Sequence, residues 1–110
     1  MSTPVAQFRT LGVAAILPSE WINPYYLDDL KRRVSVARVD GRLYAFDDLC
    51  TCEEQACPLS AGLLDGTTLL CQCHGSVYDL TTGRVLRGPA TRPVPTYEVR
   101  EQAGQIQVRV

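Results

Sequence analysis

The sequence predicts an all-β domain of short antiparallel strands, and three observations predict it. Apolar residues come in short runs, several of them alternating with polar ones, and nowhere recur at helical spacing over a long window. Turn-forming pairs punctuate those runs at Asp40-Gly41, Asp65-Gly66, Thr82-Gly83 and Ala103-Gly104. Prolines stand where a long helix would have to pass, at Pro24 and through Gly88-Pro89-Ala90-Thr91-Arg92-Pro93-Val94-Pro95.

In chain order, the stretch from Phe8 to Leu17 reads as an opening strand ended by Pro18-Ser19. From Glu20 to Arg33 the pattern predicts an irregular insertion with one helical turn around Tyr26, Leu27 and Leu30, and packing roles for Trp21, Tyr25 and Tyr26. Val34 to Asp40 alternates and turns at Asp40-Gly41 into a return strand over Leu43-Tyr44-Ala45-Phe46. Leu63-Leu64 and Thr68-Leu69-Leu70 read as two short strands about Asp65-Gly66. Gly88 to Pro95 is extended loop. Tyr97 to Arg100 and Gln105 to Val110 form a closing hairpin. No repeat, low-complexity run or linker divides the chain, so 1–110 reads as a single domain.

Composition narrows the function. Eleven Lys+Arg stand against twelve Asp+Glu, which argues against sequence-independent binding to a nucleic-acid backbone. No apolar run approaches the ~18 residues of a membrane span. The N-terminal residues lack the basic start and apolar stretch of a signal peptide. The expectation is a soluble, cytoplasmic protein. Such a compartment keeps scattered thiols reduced, yet all five cysteines lie between Cys50 and Cys73. That concentration points to a site rather than a disulfide scaffold.

Cys50-Thr51-Cys52 offers two thiolates on a short loop. Cys71-Gln72-Cys73-His74-Gly75-Ser76-Val77-Tyr78-Asp79 offers thiolate and imidazole within four residues. Such ligands in such short hops suit iron–sulfur clusters or zinc. Cys50, Cys52, Cys71 and His74 make a Cys₃His set, with Gly62 and Gly75 placed to let the loops curl. A rival set drawing on Cys57 or Cys73 in place of Cys52 stays open. His74 is the one histidine. Asp47, Asp48, Glu53, Glu54 and Asp65 gather by sequence around the first loop, as a solvated loop or a docking rim. Arg84, Arg87 and Arg92 read as a separate basic side.

The order of these residues resembles the Rieske family, whose first box is Cys-x-His and whose second is Cys-x-x-His. The run Cys71 to Asp79 is similar to the branch found in cytochrome bc complexes, Cys-Pro-Cys-His-Gly-Ser-x-Tyr/Phe-Asp. Thr82-Gly83-Arg84-Val85-Leu86-Arg87-Gly88-Pro89-Ala90 resembles that family's turn and the proline loop covering the cluster. The likeness runs from about Asp40 to the C-terminus. It implies stacked small antiparallel sheets and a cluster-binding subdomain, about 47–92, of two hairpin loops. It implies a [2Fe–2S] cluster with Cys50 and Cys71 on the inner iron and His74 on the outer. Cys52 stands where the family has histidine, giving a mixed Cys₃His centre. It further implies a Cys57–Cys73 disulfide, a hydrogen bond from Ser76 to a bridging sulfide and one from Tyr78 to the Cys71 sulfur, with Gly75 and Pro89 completing the surroundings. The bland alternatives for Ser76 and Tyr78 are a turn serine and a packed strand tyrosine.

A thiolate in place of a neutral imidazole adds negative charge and lowers the potential. Rieske centres span about −150 to +300 mV and plant-type all-thiolate clusters sit near about −400 mV. The function implied is a one-electron carrier, not an enzyme, passing electrons between a reductase and a terminal oxygenase or other oxidoreductase. The alternatives are a structural zinc module and an electron-transfer or scaffold small subunit of a larger oxidoreductase.

Overall fold

A computed structural model describes residues 8–51, 57–73 and 75–110. Among these residues, ten strands form two antiparallel sheets. The larger sheet has the order β1 (Phe8–Val13), β10 (Gln105–Arg109), β9 (Thr96–Gln102), β4 (Arg42–Asp47), β3 (Arg32–Val39), β2 (Trp21–Leu27). The smaller runs β5 (Leu63–Asp65), β6 (Thr68–Leu70), β7 (Val77–Asp79), β8 (Val85–Arg87).

The β3–β4 hairpin is the centre of the molecule and forms as its sequence predicts. Asp40 and Gly41 take positive φ, 51° and 77°, the twist that matches a two-residue turn to its strands. Successive β3 side chains enter two different cores. Val34 and Val36 join Ala45, Ile106 and Val108 in one cluster. Ala37 and Val39 join Phe46, Leu69, Tyr78, Cys50 and Cys71 in the other. The sheet on which the metal loops rest is therefore buried on both faces at its middle. The closing hairpin also forms, with Ala103 and Gly104 at φ 54° and 75°.

Several expectations change. The opening strand stops at Val13, and Ala14–Ile16 form a 3₁₀ turn. The stretch expected to be irregular is largely a strand: β2 pairs with β3 from Trp21↔Arg38 to Leu27↔Arg32, with Pro24 inside it. Pro24 is tolerated because β2 is an edge strand, where a missing N–H costs no ladder bond. Trp21 and Tyr26 are 59% and 60% exposed, so only Tyr25 packs inward. The short strands β7 and β8 follow the second cysteine loop, too brief to show a period in the sequence.

The first cysteine loop joins β4 of the large sheet to β5 of the small one. It is a crossover, whereas the second, between β6 and β7, is a hairpin end. Among the described residues no helix is long and apolar enough to cross a membrane.

Candidate metal centre

Two tiers of hydrogen bonds close the first loop. The Cys50 amide donates to the Cys57 carbonyl at 2.8 Å. One step below, the wholly buried Asp48 carboxylate accepts from the Ser60 amide at 2.6 Å and the Ser60 hydroxyl at 3.1 Å. It also pairs with Arg33 Nε at 2.7 Å. A carboxylate out of water needs partners of this kind. Asp48 is thus no part of a docking rim.

The second loop is a tight turn. Cys71 N–H donates to the Ser76 carbonyl at 2.8 Å, and Gly75 N–H to the Cys71 carbonyl at 2.9 Å. Gly75 has φ 78°, a conformation that side chains resist. A disulfide between Cys57 and Cys73 ties this turn to the first loop, their Cα atoms 6.4 Å apart.

Cys50 and Cys71, from the two loops, are 4% and 1% exposed and belong to one buried cluster with Leu59, Leu69, Tyr78 and Ala90. Cys71 is a free thiol. Cys50 is disulfide-bonded in this structure, and ligation by it needs that sulfur released as a thiolate. Tyr78 lies between the loops, with its hydroxyl 3.2 Å from the Cys50 sulfur. The sequence expectation placed this hydroxyl on Cys71. The correction has a simple cause: Tyr78 points inward from β7, opposite Leu69, and meets the crossing first loop rather than the end of its own hairpin. The Thr51 amide and hydroxyl, each 3.0 Å from the Tyr78 oxygen, hold it there.

The proline segment is strapped over both loops. Ser76 Oγ accepts the Ala90 amide at 3.0 Å, and the Thr51 hydroxyl donates to the Arg92 carbonyl at 2.6 Å. Pro89 itself is exposed and joined to Gly88 by a cis peptide bond. Arg87 and Arg92 do not form a separate basic side. Arg87 Nε donates to the Gly75 carbonyl at 3.3 Å, and Arg92 flanks a recess beside Cys50, Leu49 and Thr51. Behind the first loop, the Tyr97 hydroxyl donates to Asp47 at 2.5 Å. Burial first, then the bond to Asp47, pushes its ionisation up to about 12.

Cys52 and His74, the other expected ligands, lie outside the described residues, as do Glu53 and Glu54 of the acidic group. Among the described residues no three His, Cys, Asp or Glu side chains gather to hold an ion. The residues that are described fit a thiolate-held cluster. Two cysteines lie buried in apolar surroundings, a hydroxyl lies within hydrogen-bonding reach of one sulfur, and the loops are cross-linked. Sequence reasoning missed Thr51, Arg33 and Ser60. Thr51 had a signal, being the residue enclosed by Cys50 and Cys52; the other two had none.

The fold and this centre define a small β protein built around a two-loop iron–sulfur site. A Rieske [2Fe-2S] domain model matches residues 18–98, and the chain belongs to that family. The ferredoxin component of a naphthalene 1,2-dioxygenase system from Pseudomonas aeruginosa is 32% identical over 77 residues, covering 70% of this chain and 72% of that protein. A solved ferredoxin from Sphingomonas yanoikuyae superposes with TM-score 0.83 at 26% identity, covering 94% of this chain and 99% of that one. A chain in a complex of reduced oxygenase and oxidised ferredoxin of carbazole 1,9a-dioxygenase gives TM-score 0.83 at 27% identity, with 93% and 92% covered. The protein is an iron–sulfur electron carrier with a [2Fe–2S] cluster.

Proposed function

We propose that this chain is the ferredoxin of an oxygenase system, taking single electrons from a reductase and delivering them to a terminal oxygenase. The observation that carries this reading is the meeting of the two cysteine loops, cross-linked through Cys57 and Cys73, with Cys50 and Cys71 buried in the one cluster that also holds Tyr78. Cys50, Cys52, Cys71 and His74 would hold the cluster, which supplies reversible one-electron chemistry. The whole of 1–110 then acts as one Rieske-type unit, with the cluster-binding part at about 47–92, working in the cytoplasm.

The chain's own residues set the conditions. Burial of Cys50 and Cys71 excludes water from their sulfurs. The Tyr78 hydroxyl, donating to Cys50, favours the more negative state and raises the potential. Cys52 acts in the opposite direction through its charge. Ser76 fastens the proline strap by accepting the Ala90 amide.

Anaerobic purification with iron, sulfide and zinc analysis tests the reading, followed by mixing the dithionite-reduced protein with an oxidised terminal oxygenase. The proposal expects two irons and two sulfides per chain, visible bands bleached on reduction, and their return as the oxygenase accepts electrons. A colourless protein carrying one zinc would instead establish a structural metal module.

A further inference from the structure

Asp48 is the most deeply buried charge among the described residues: no other Asp, Glu, Lys or Arg there is wholly enclosed. Its position is as informative as its burial. It stands immediately before the first cysteine loop, and Ser60, which donates to it twice, stands immediately after. Arg33, on β3, supplies the third contact, and the Asp48 amide returns a bond to the Arg33 carbonyl at 3.0 Å. One carboxylate therefore joins the loop's entrance, its exit and the central hairpin.

We propose that Asp48 is a positioning residue of the metal centre, a buried clamp that fixes the base of the first ligand loop so that Cys50 stays aimed at the cluster. The proposal rests on Cys50 serving as a ligand. The bonds transmit over a short path. Asp48 is two residues from Cys50, and the tier above it is the Cys50–Cys57 backbone bond. Cys57 in turn carries the cross-link to the second loop. Loosening the clamp lets the loop ends separate, and the Cys50 sulfur and the Cys57–Cys73 bridge shift with them. The main sheets hold their own ladders and their own core of Val34, Val36, Ile106 and Val108, so they remain folded. Groups supporting metal ligands typically cost about 10–100-fold in affinity when lost.

The test uses the cluster-loaded protein and a strong ferrous chelator, following loss of the visible bands at a temperature well below unfolding. Asp48→Asn keeps the shape and removes the charge, and bleaching on the order of 10-fold faster is expected. Arg33→Gln, made at a partly exposed side chain that folds readily, is expected to bleach several-fold faster. Combined with Asp48→Asn it adds little, because both break the same pair. Far-ultraviolet circular dichroism stays that of the parent, and the reduced EPR signal broadens as the loop geometry spreads. Wild-type bleaching rates in both variants overturn the clamp, as does bleaching that rises only in step with global unfolding. Cys50→Ser separates the two layers of the argument. If it keeps a wild-type cluster, the ligand reading fails, while the rates in Asp48→Asn and Arg33→Gln still judge the clamp.

Discussion

Three groups crowd the Tyr78 hydroxyl: the Cys50 sulfur at 3.2 Å and the amide and hydroxyl of Thr51 at 3.0 Å. The amide donates, and the Thr51 hydroxyl gives its proton to the Arg92 carbonyl. The one Tyr78 proton is therefore shared between the Thr51 oxygen and the Cys50 sulfur, and a thiolate is the stronger acceptor of the two. Tyr78→Phe removes that donor. The expected result is a fall in midpoint potential on the order of 50 mV, near a tenfold change in a one-electron equilibrium constant, read by protein-film voltammetry. Cys52→His moves the potential the other way, since a neutral imidazole replaces a thiolate. An unchanged or lower midpoint there would remove Cys52 from the ligand set. At this scale the second cysteine box was the legible part, because two expected ligands, the bridging Cys73 and their hydroxyl neighbours are contiguous from Cys71 to Tyr78. The first box shows only its two cysteines. Its supports, Asp48, Ser60 and Arg33, come together through the fold, and an aspartate beside other acids carries no mark in sequence of its complete burial.

Gly83 shows how elements hold the strap. It has φ 82°, and a Cβ added there would sit 2.1 Å from the Val94 carbonyl oxygen. Its own carbonyl accepts the Val94 amide at 2.8 Å, so the turn before β8 and the end of the proline segment touch backbone to backbone. Gly83→Ala therefore combines left-handed strain of about 1–2 kcal/mol with a clash that displaces the segment. The expected loss of stability is at least about 2 kcal/mol, measured as a lower denaturant midpoint of the loaded protein. Nearby, Asp79 accepts from the Thr81 hydroxyl and amide at 2.6 and 2.9 Å. These bonds, the side-chain one first, hold its carboxyl below the ordinary value of 3.8. The lowered value means its contribution is present above pH 3.8 and lost as pH falls through the folded value. Turns such as Asp40-Gly41 were legible because two local residues dictate them. β2 was not, because a proline at Pro24 argues against a strand until its place at the sheet edge is known.

The whole molecule is two cores sharing one hairpin. Phe46 belongs to the core that contains Cys50 and Cys71 and is fully buried. Phe46→Ala is expected to cost about 3–5 kcal/mol, measured by denaturant unfolding, and to release the cluster because the cavity opens beneath it. At the seam between the halves of the large sheet, where β4 meets β9, the Tyr97 hydroxyl is bonded to Asp47. Its ionisation is raised to about 12 from 10.0. The neutral form is thus favoured in the fold. Its stabilisation is complete below pH 10 and drains away as pH rises toward 12, which Tyr97→Phe would abolish in a titration of unfolding midpoints.

At the same scale stands the central claim, a [2Fe–2S] cluster held by three thiolates and one imidazole. Pulsed EPR of the dithionite-reduced protein reads it directly through nitrogen hyperfine coupling. The account predicts a spin-half signal coupled strongly to a single histidine nitrogen, lost in His74→Ala or His74→Cys. A signal with no strongly coupled nitrogen, or no paramagnetic centre after anaerobic cluster assembly, would contradict it.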